Sequence, residues 1–173
     1  DNLMNGGGQE RSRRPGTENI AGILGLGAAI EKATATLERD MEYVASLRDR
    51  LIDGIVSTIP YCKVNTPSHH RLPGTVNVSI KYIEGESMLL LLDMNGICAT
   101  SGSACASGDL DPSHVLLAIG LPHEIAHGSV RFSFCADNTV EEIDYILEVL
   151  PNIAQRLREM SPLWEEVQKN ETH

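Results

Sequence analysis

Apolar residues in the first third of the chain keep a helical step. Leu37, Met41, Val44, Leu47, Leu51 and Ile55 recur every three or four positions, the spacing that lines one face of an α-helix. They predict a long helix from about Glu18, closed by Pro60 and kinked near Gly25 and Gly27. It reads as a bridge between parts rather than a member of a compact bundle. The residues before it, "DNLMNGGGQERSRRPG", combine three consecutive glycines, clustered arginines and a proline and read as loop. Beyond Pro60 the period shortens. In "TVNVSIK", Val76, Val78 and Ile80 point one way and Asn77 and Ser79 the other, as in a half-buried strand.

A helix is expected from about Glu86, stopped by a left-handed Gly96. "ICAT" then reads as a brief strand carrying a buried Cys98. Asp111 and Pro112 are expected to cap and open the helix "PSHVLLAIG", ended by Gly120. "SVRFSF" is a strand with Val130, Phe132 and Phe134 on one face and Ser129, Arg131 and Ser133 on the other. Thr139 and Glu142 have capping-box spacing at the head of a last long helix, with Ile143, Ile146, Leu147, Leu150 and Ile153 on one face. Pro151 is expected to bend it. Together these elements predict an α/β fold of two layers. Its small sheet has strands near Lys63, Thr75, Ile97 and Ser129, covered by the two long helices and the helix at Ser87.

Composition narrows the function. The 173 residues are 42% hydrophobic but only 4% aromatic, so one core is expected, built mainly of aliphatic side chains. A formal charge of −10 argues against general nucleic-acid or anionic-membrane binding. No unbroken apolar run approaches about 18 residues and no signal pattern opens the chain; a cytoplasmic protein is expected. The four cysteines form no C-x-x-C pair and suit free thiols in a reducing compartment.

Three places could carry chemistry. Cys105 sits in "ATSGSACASGDLDP", among residues too small to bury it. It is either an accessible nucleophile activated by a neighbouring cation or base, or an incidental loop cysteine. Arg131 either receives a carboxylate through two parallel hydrogen bonds or pairs with a surface acid. "GGGQERSRRPGTEN" could bind phosphate through amides, hydroxyls and arginines or be a basic turn; it is no dinucleotide fingerprint. His69 and His70 make a weak metal signal, and no metal site is expected.

In order, "GGGQERSRRPGTEN", "EGESMLLLLDMNGICATSGSACASG", "AHGSVRFSF" and "SPLWEE" resemble the C-terminal part of a group I, NifS/IscS-type cysteine desulfurase of the class V aminotransferases. The match runs from about residue 6 to residue 167. The resemblance implies the small C-terminal domain of the aspartate-aminotransferase architecture (fold type I). It divides the chain into 1–17, a remnant of the large cofactor-binding domain, 18–60, the bridging helix, and 61–173, the small domain. It implies that Cys105 attacks the sulfur of L-cysteine, becomes a persulfide and releases L-alanine. Arg131 then holds the substrate carboxylate, and Thr17 reaches the pyridoxal phosphate of the partner subunit in a homodimer. The resemblance also implies that an iron–sulfur scaffold or other sulfur acceptor docks near the segment around Trp164, although a lone Trp also suits a packing anchor.

The chain departs from that family too. Members are about twice this length, and their cofactor lysine sits in an S-H-K motif absent from this sequence. Cys135 stands where glycine is usual. This chain is therefore expected to fold but, without the rest of the enzyme, to hold no cofactor and lack activity. Two other readings of Cys105 compete: a persulfide-relay or protein-docking module, and a thiol redox sensor.

Overall fold

The computed structural model describes residues 4–102 and 112–171. The expected nucleophile Cys105 and the expected cap Asp111 lie outside them. Among the described residues the elements run in order: α1 Gln9–Ser12, α2 Ile20–Thr58, β1 Cys62–Val64, β2 Thr75–Ile80, α3 Gly85–Met94, α4 His114–Ala118, α5 His123–His127, β3 Ser129–Ser133, α6 Val140–Glu159 and α7 Pro162–Glu171. They fall into two compact units, Asp1–Glu38 and Arg39–His173.

The first unit is not loop throughout. Glu10, Arg11 and Ser12 take positive φ, so α1 is a left-handed turn. Asn19 Oδ1 accepts from the Gly22 N–H at 3.0 Å, covering one of the orphan donors where α2 opens. α2 is one unbroken helix through Gly25 and Gly27. Ile20, Ile23, Leu24, Leu26, Ile30 and Leu37 are exposed on it, as is Met41 at the start of the second unit. The expected apolar stripe is therefore buried only from Val44 onwards. One 18-residue stretch of α2 is also apolar enough, by length and composition alone, to cross a membrane. A search for unbroken apolar runs misses it because Glu31, Lys32 and two threonines interrupt it.

In the second unit the strands form one antiparallel sheet in the order β1-β2-β3. Val64 faces Val78, which faces Val130, and Cys62 faces Ile80, so the even-numbered positions give the sheet an apolar face. α2, α3 and α6 cover it with Leu47, Leu51, Ile55, Met88, Leu92, Ile143 and Leu150. Each such side chain contributes about 1.5–3 kcal/mol. α2 and α6 approach closely at Gly54, where a Cβ would run into Leu147.

α3 ends in a Schellman motif. Gly96 takes φ +73°, and the Gly96 and Ile97 N–H groups donate to Asp93 and Leu92 at 2.8 and 3.0 Å. α6 opens with the expected capping box between Thr139 and Glu142.

The second unit also departs from expectation. "ICAT" is no strand: it makes a single bridge, Thr100 to Arg131, so Ile97 does not begin a fourth strand. Cys98 is consequently exposed rather than buried. Ser79 lies on the polar face but is fully buried, where its Oγ accepts from Asn65. The helix after the cysteine loop begins at His114 with Ser113 as its cap position, two residues later than an Asp111 cap requires.

Candidate functional site

The odd-numbered positions give the sheet a polar face, in rows set by register. Lys63 faces Ser79 and Ser79 faces Ser129; Asn77 faces Arg131; Thr75 faces Ser133. Asn65, one residue past β1, continues the register to Asn77, its N–H donating to the Asn77 carbonyl at 2.8 Å. On the far side the Arg131 N–H donates to the Thr100 carbonyl at 2.6 Å, and the Thr100 N–H returns a bond of 3.2 Å. Asn65, Asn77, Arg131 and Thr100 therefore form one row across the sheet.

Arg131 stands in that row with an exposed side chain, and among the described residues no carboxylate pairs with it. Chain 98–102 is tied to the same strand. Beyond the Thr100 bridge, the Thr100 Oγ1 and Gly102 carbonyl lie 3.1 Å apart in a hydrogen bond, and Ser129 Oγ donates to the Ser101 carbonyl at 3.4 Å. The chain leading into the Cys105 segment is thus held against β3 as far as Ser101, beside Ser129.

Thr17 is exposed in the first unit. Near it Arg14 donates to the Gly16 carbonyl and pairs with Glu18 at 3.1 Å, so that arginine is engaged within its own turn. Among the described residues no three metal-ligating side chains stand together.

Trp164 is a packing anchor, 9% exposed. Its ring lies 5.5 Å from Tyr61 and 5.6 Å from Tyr82. The Arg158 guanidinium sits over it, 5.0 Å from its centroid. Arg158 donates to the Pro60 and Lys81 carbonyls at 2.6 and 3.2 Å, and burial pushes its pKa down. The nearby thiol of Cys62 is pushed up, chiefly by burial. Sequence reasoning missed this cluster. Beside it, an open groove of about 720 Å³ is lined by Tyr82, Ile125, Leu157, Met160 and Leu163.

Residues 5–146 match the family described as aminotransferase class-V. The chain belongs to the aminotransferase class-V family. Within that family this class V chain is 60% identical, over 98% of its length, to the cysteine desulfurase IscS of Clostridium botulinum, and 55% identical over 94% to that of Methanosarcina thermophila. It spans only 43% and 40% of those relatives. A solved NifS-like protein shares its fold at a TM-score of 0.76 and 35% identity, over 90% of this chain and 39% of that one. The architecture is accordingly that of the small domain of pyridoxal-phosphate-dependent transferases.

The described residues do not by themselves fit pyridoxal phosphate. No lysine lies in Arg131's row, and Lys63, the nearest by register, faces Ser79 two strands from Ser129. Of the expected cofactor ligands this sequence holds Thr17 alone.

Proposed function

We propose that this chain is the sulfur-accepting and substrate-carboxylate-binding part of a cysteine desulfurase. One observation carries the reading: an exposed Arg131 on the polar face of β3, with no carboxylate partner among the described residues and hydrogen-bonded through its backbone to Thr100, ahead of the Cys105 segment. The 60% identity to an IscS desulfurase supports the substrate assignment.

In this reading Arg131 holds the L-cysteine carboxylate through a planar pair of hydrogen bonds. The Cys105 thiolate attacks the substrate sulfur, and an S–S bond forms. The Cβ–S bond breaks with its electron pair left on carbon, and a proton taken up there completes L-alanine. Cys105 is left as a persulfide for a sulfur acceptor. The electron sink this chemistry needs would be supplied by pyridoxal phosphate; of this chain's residues, Thr17 would help hold it from the partner subunit of a homodimer. The acceptor docks near α7, where exposed Met160 and Leu163, rather than buried Trp164, offer contact.

Arg131→Lys in the full-length protein tests the carboxylate role. It keeps the charge and loses the planar pair, so the KM for L-cysteine should rise roughly tenfold while the protein stays folded. An unchanged KM would make Arg131 structural.

A further inference from the structure

We propose that Asn77 is a second donor to the substrate carboxylate, a specificity-determining contact that works beside Arg131. This rests on the reading that Arg131 receives that carboxylate. Asn77 and Arg131 are cross-strand partners, and their backbone bonds show which kind. The Asn77 N–H goes to Thr66 Oγ1 at 2.8 Å and its carbonyl accepts from Asn65. Arg131 directs both of its groups to Thr100. Neither residue spends a backbone bond on the other, so they form the non-hydrogen-bonded pair of an antiparallel ladder. Side chains approach most closely there, with Cα atoms about 4.5 Å apart.

The Asn77 amide oxygen is engaged by Asn65. Asn65 Nδ2 donates to Asn77 Oδ1 at 2.7 Å and to Ser79 Oγ at 2.8 Å. Its oxygen is engaged on the β1 side, which leaves Nδ2 as the amide's remaining donor, and Arg131 is the cross-strand neighbour on the other side. Among the described residues that Nδ2 has no acceptor. A neutral amide donor beside a guanidinium does not compete for an incoming anion as a carboxylate would. It supplies the hydrogen bond that one guanidinium edge leaves over, because a carboxylate offers about four lone-pair sites. The bound species is thus an α-amino-acid carboxylate, gripped by Arg131 on one side and Asn77 on the other, with Asn65 setting the amide.

The test is the KM for L-cysteine in the full-length protein for Asn77→Ala, Asn77→Asp and Asn77→Ser, with Arg131→Ala alongside and melting curves to confirm folding. Asn77→Ala should raise KM roughly tenfold, the worth of one hydrogen bond to a charged group, with kcat changing less. The inhibition constant of L-alanine, which shares the carboxylate and lacks the sulfur, should rise in parallel. Asn77→Ser restores a donor and should fall between wild type and Ala.

Asn77→Asp separates this role from a structural one. It keeps the shape and the oxygen that Asn65 holds, so a structural role makes it the mildest change. A carboxylate there repels substrate and captures Arg131, so a binding role makes it the worst. If Asp is milder than Ala, or if KM stays put in every Asn77 variant while Arg131→Ala raises it, the inference is overturned and the Arg131 reading survives. An unaffected KM in Arg131→Ala, or a wild type that releases no alanine, overturns both.

Discussion

Arg158 is 2% exposed, and a buried guanidinium persists only when its donors are satisfied. Its partners are two carbonyls, Pro60 and Lys81, with the Trp164 face as cover. Arg158→Ala leaves both carbonyls without that donor and opens space beneath Trp164, so it should cost about 2–4 kcal/mol in urea unfolding. Arg158→Lys cannot span both acceptors in a plane and should recover little of this; recovery to wild-type stability would show that the charge alone matters. The thiols rank by the same burial argument. Cys62 is half-buried with its pKa raised, whereas Cys98 and Cys135 are exposed. At neutral pH and limiting iodoacetamide, mass mapping should find Cys62 modified later than either, and early modification of Cys62 would contradict its placement.

Among the elements, α6 depends on its first turn. The Asn138 amide and then the Thr139 N–H donate to Glu142, holding its carboxyl below the usual glutamate range. A carboxyl whose pKa is lowered on folding contributes stability that is present above its unfolded value and lost as pH falls through the folded one. The urea midpoint should therefore drop on acidification through that window. In Glu142→Gln, which keeps an acceptor but cannot titrate, the drop should shrink; an identical acid profile would assign the loss to other carboxyls. Thr139→Ala should cost about 1 kcal/mol, and Gly96→Ala about 1–2 kcal/mol through its positive φ.

The capping box and the Gly96 stop were legible because their partners lie within five residues of one another. Arg158 was not, since its acceptors lie 77 and 98 residues away. Cys98 misled because its apolar neighbours imitate a strand, although only Thr100 bridges to β3. Alternation alone set Arg131 on the polar face. Asn77 entered as a proposed contact only once the register put it opposite Arg131.

For the whole molecule, the central claim is a division of labour. In the proposal this chain would supply the thiol that takes the sulfur and the row that binds the carboxylate, and the rest of a full-length desulfurase would hold the cofactor. The isolated chain, supplied with pyridoxal phosphate and L-cysteine, should then form no alanine. Alanine formation by the isolated chain would place the whole active site within it. The most direct measurement is intact-protein and peptide mass spectrometry of the full-length protein after L-cysteine, with alanine quantified in the same sample. The account predicts one added sulfur atom on Cys105, alanine released in step with it, and neither in Cys105→Ser. Sulfur on Cys105 without alanine would instead mark a relay that receives persulfide from elsewhere, and sulfur carried by Cys98 or Cys135 would contradict the assignment of the nucleophile.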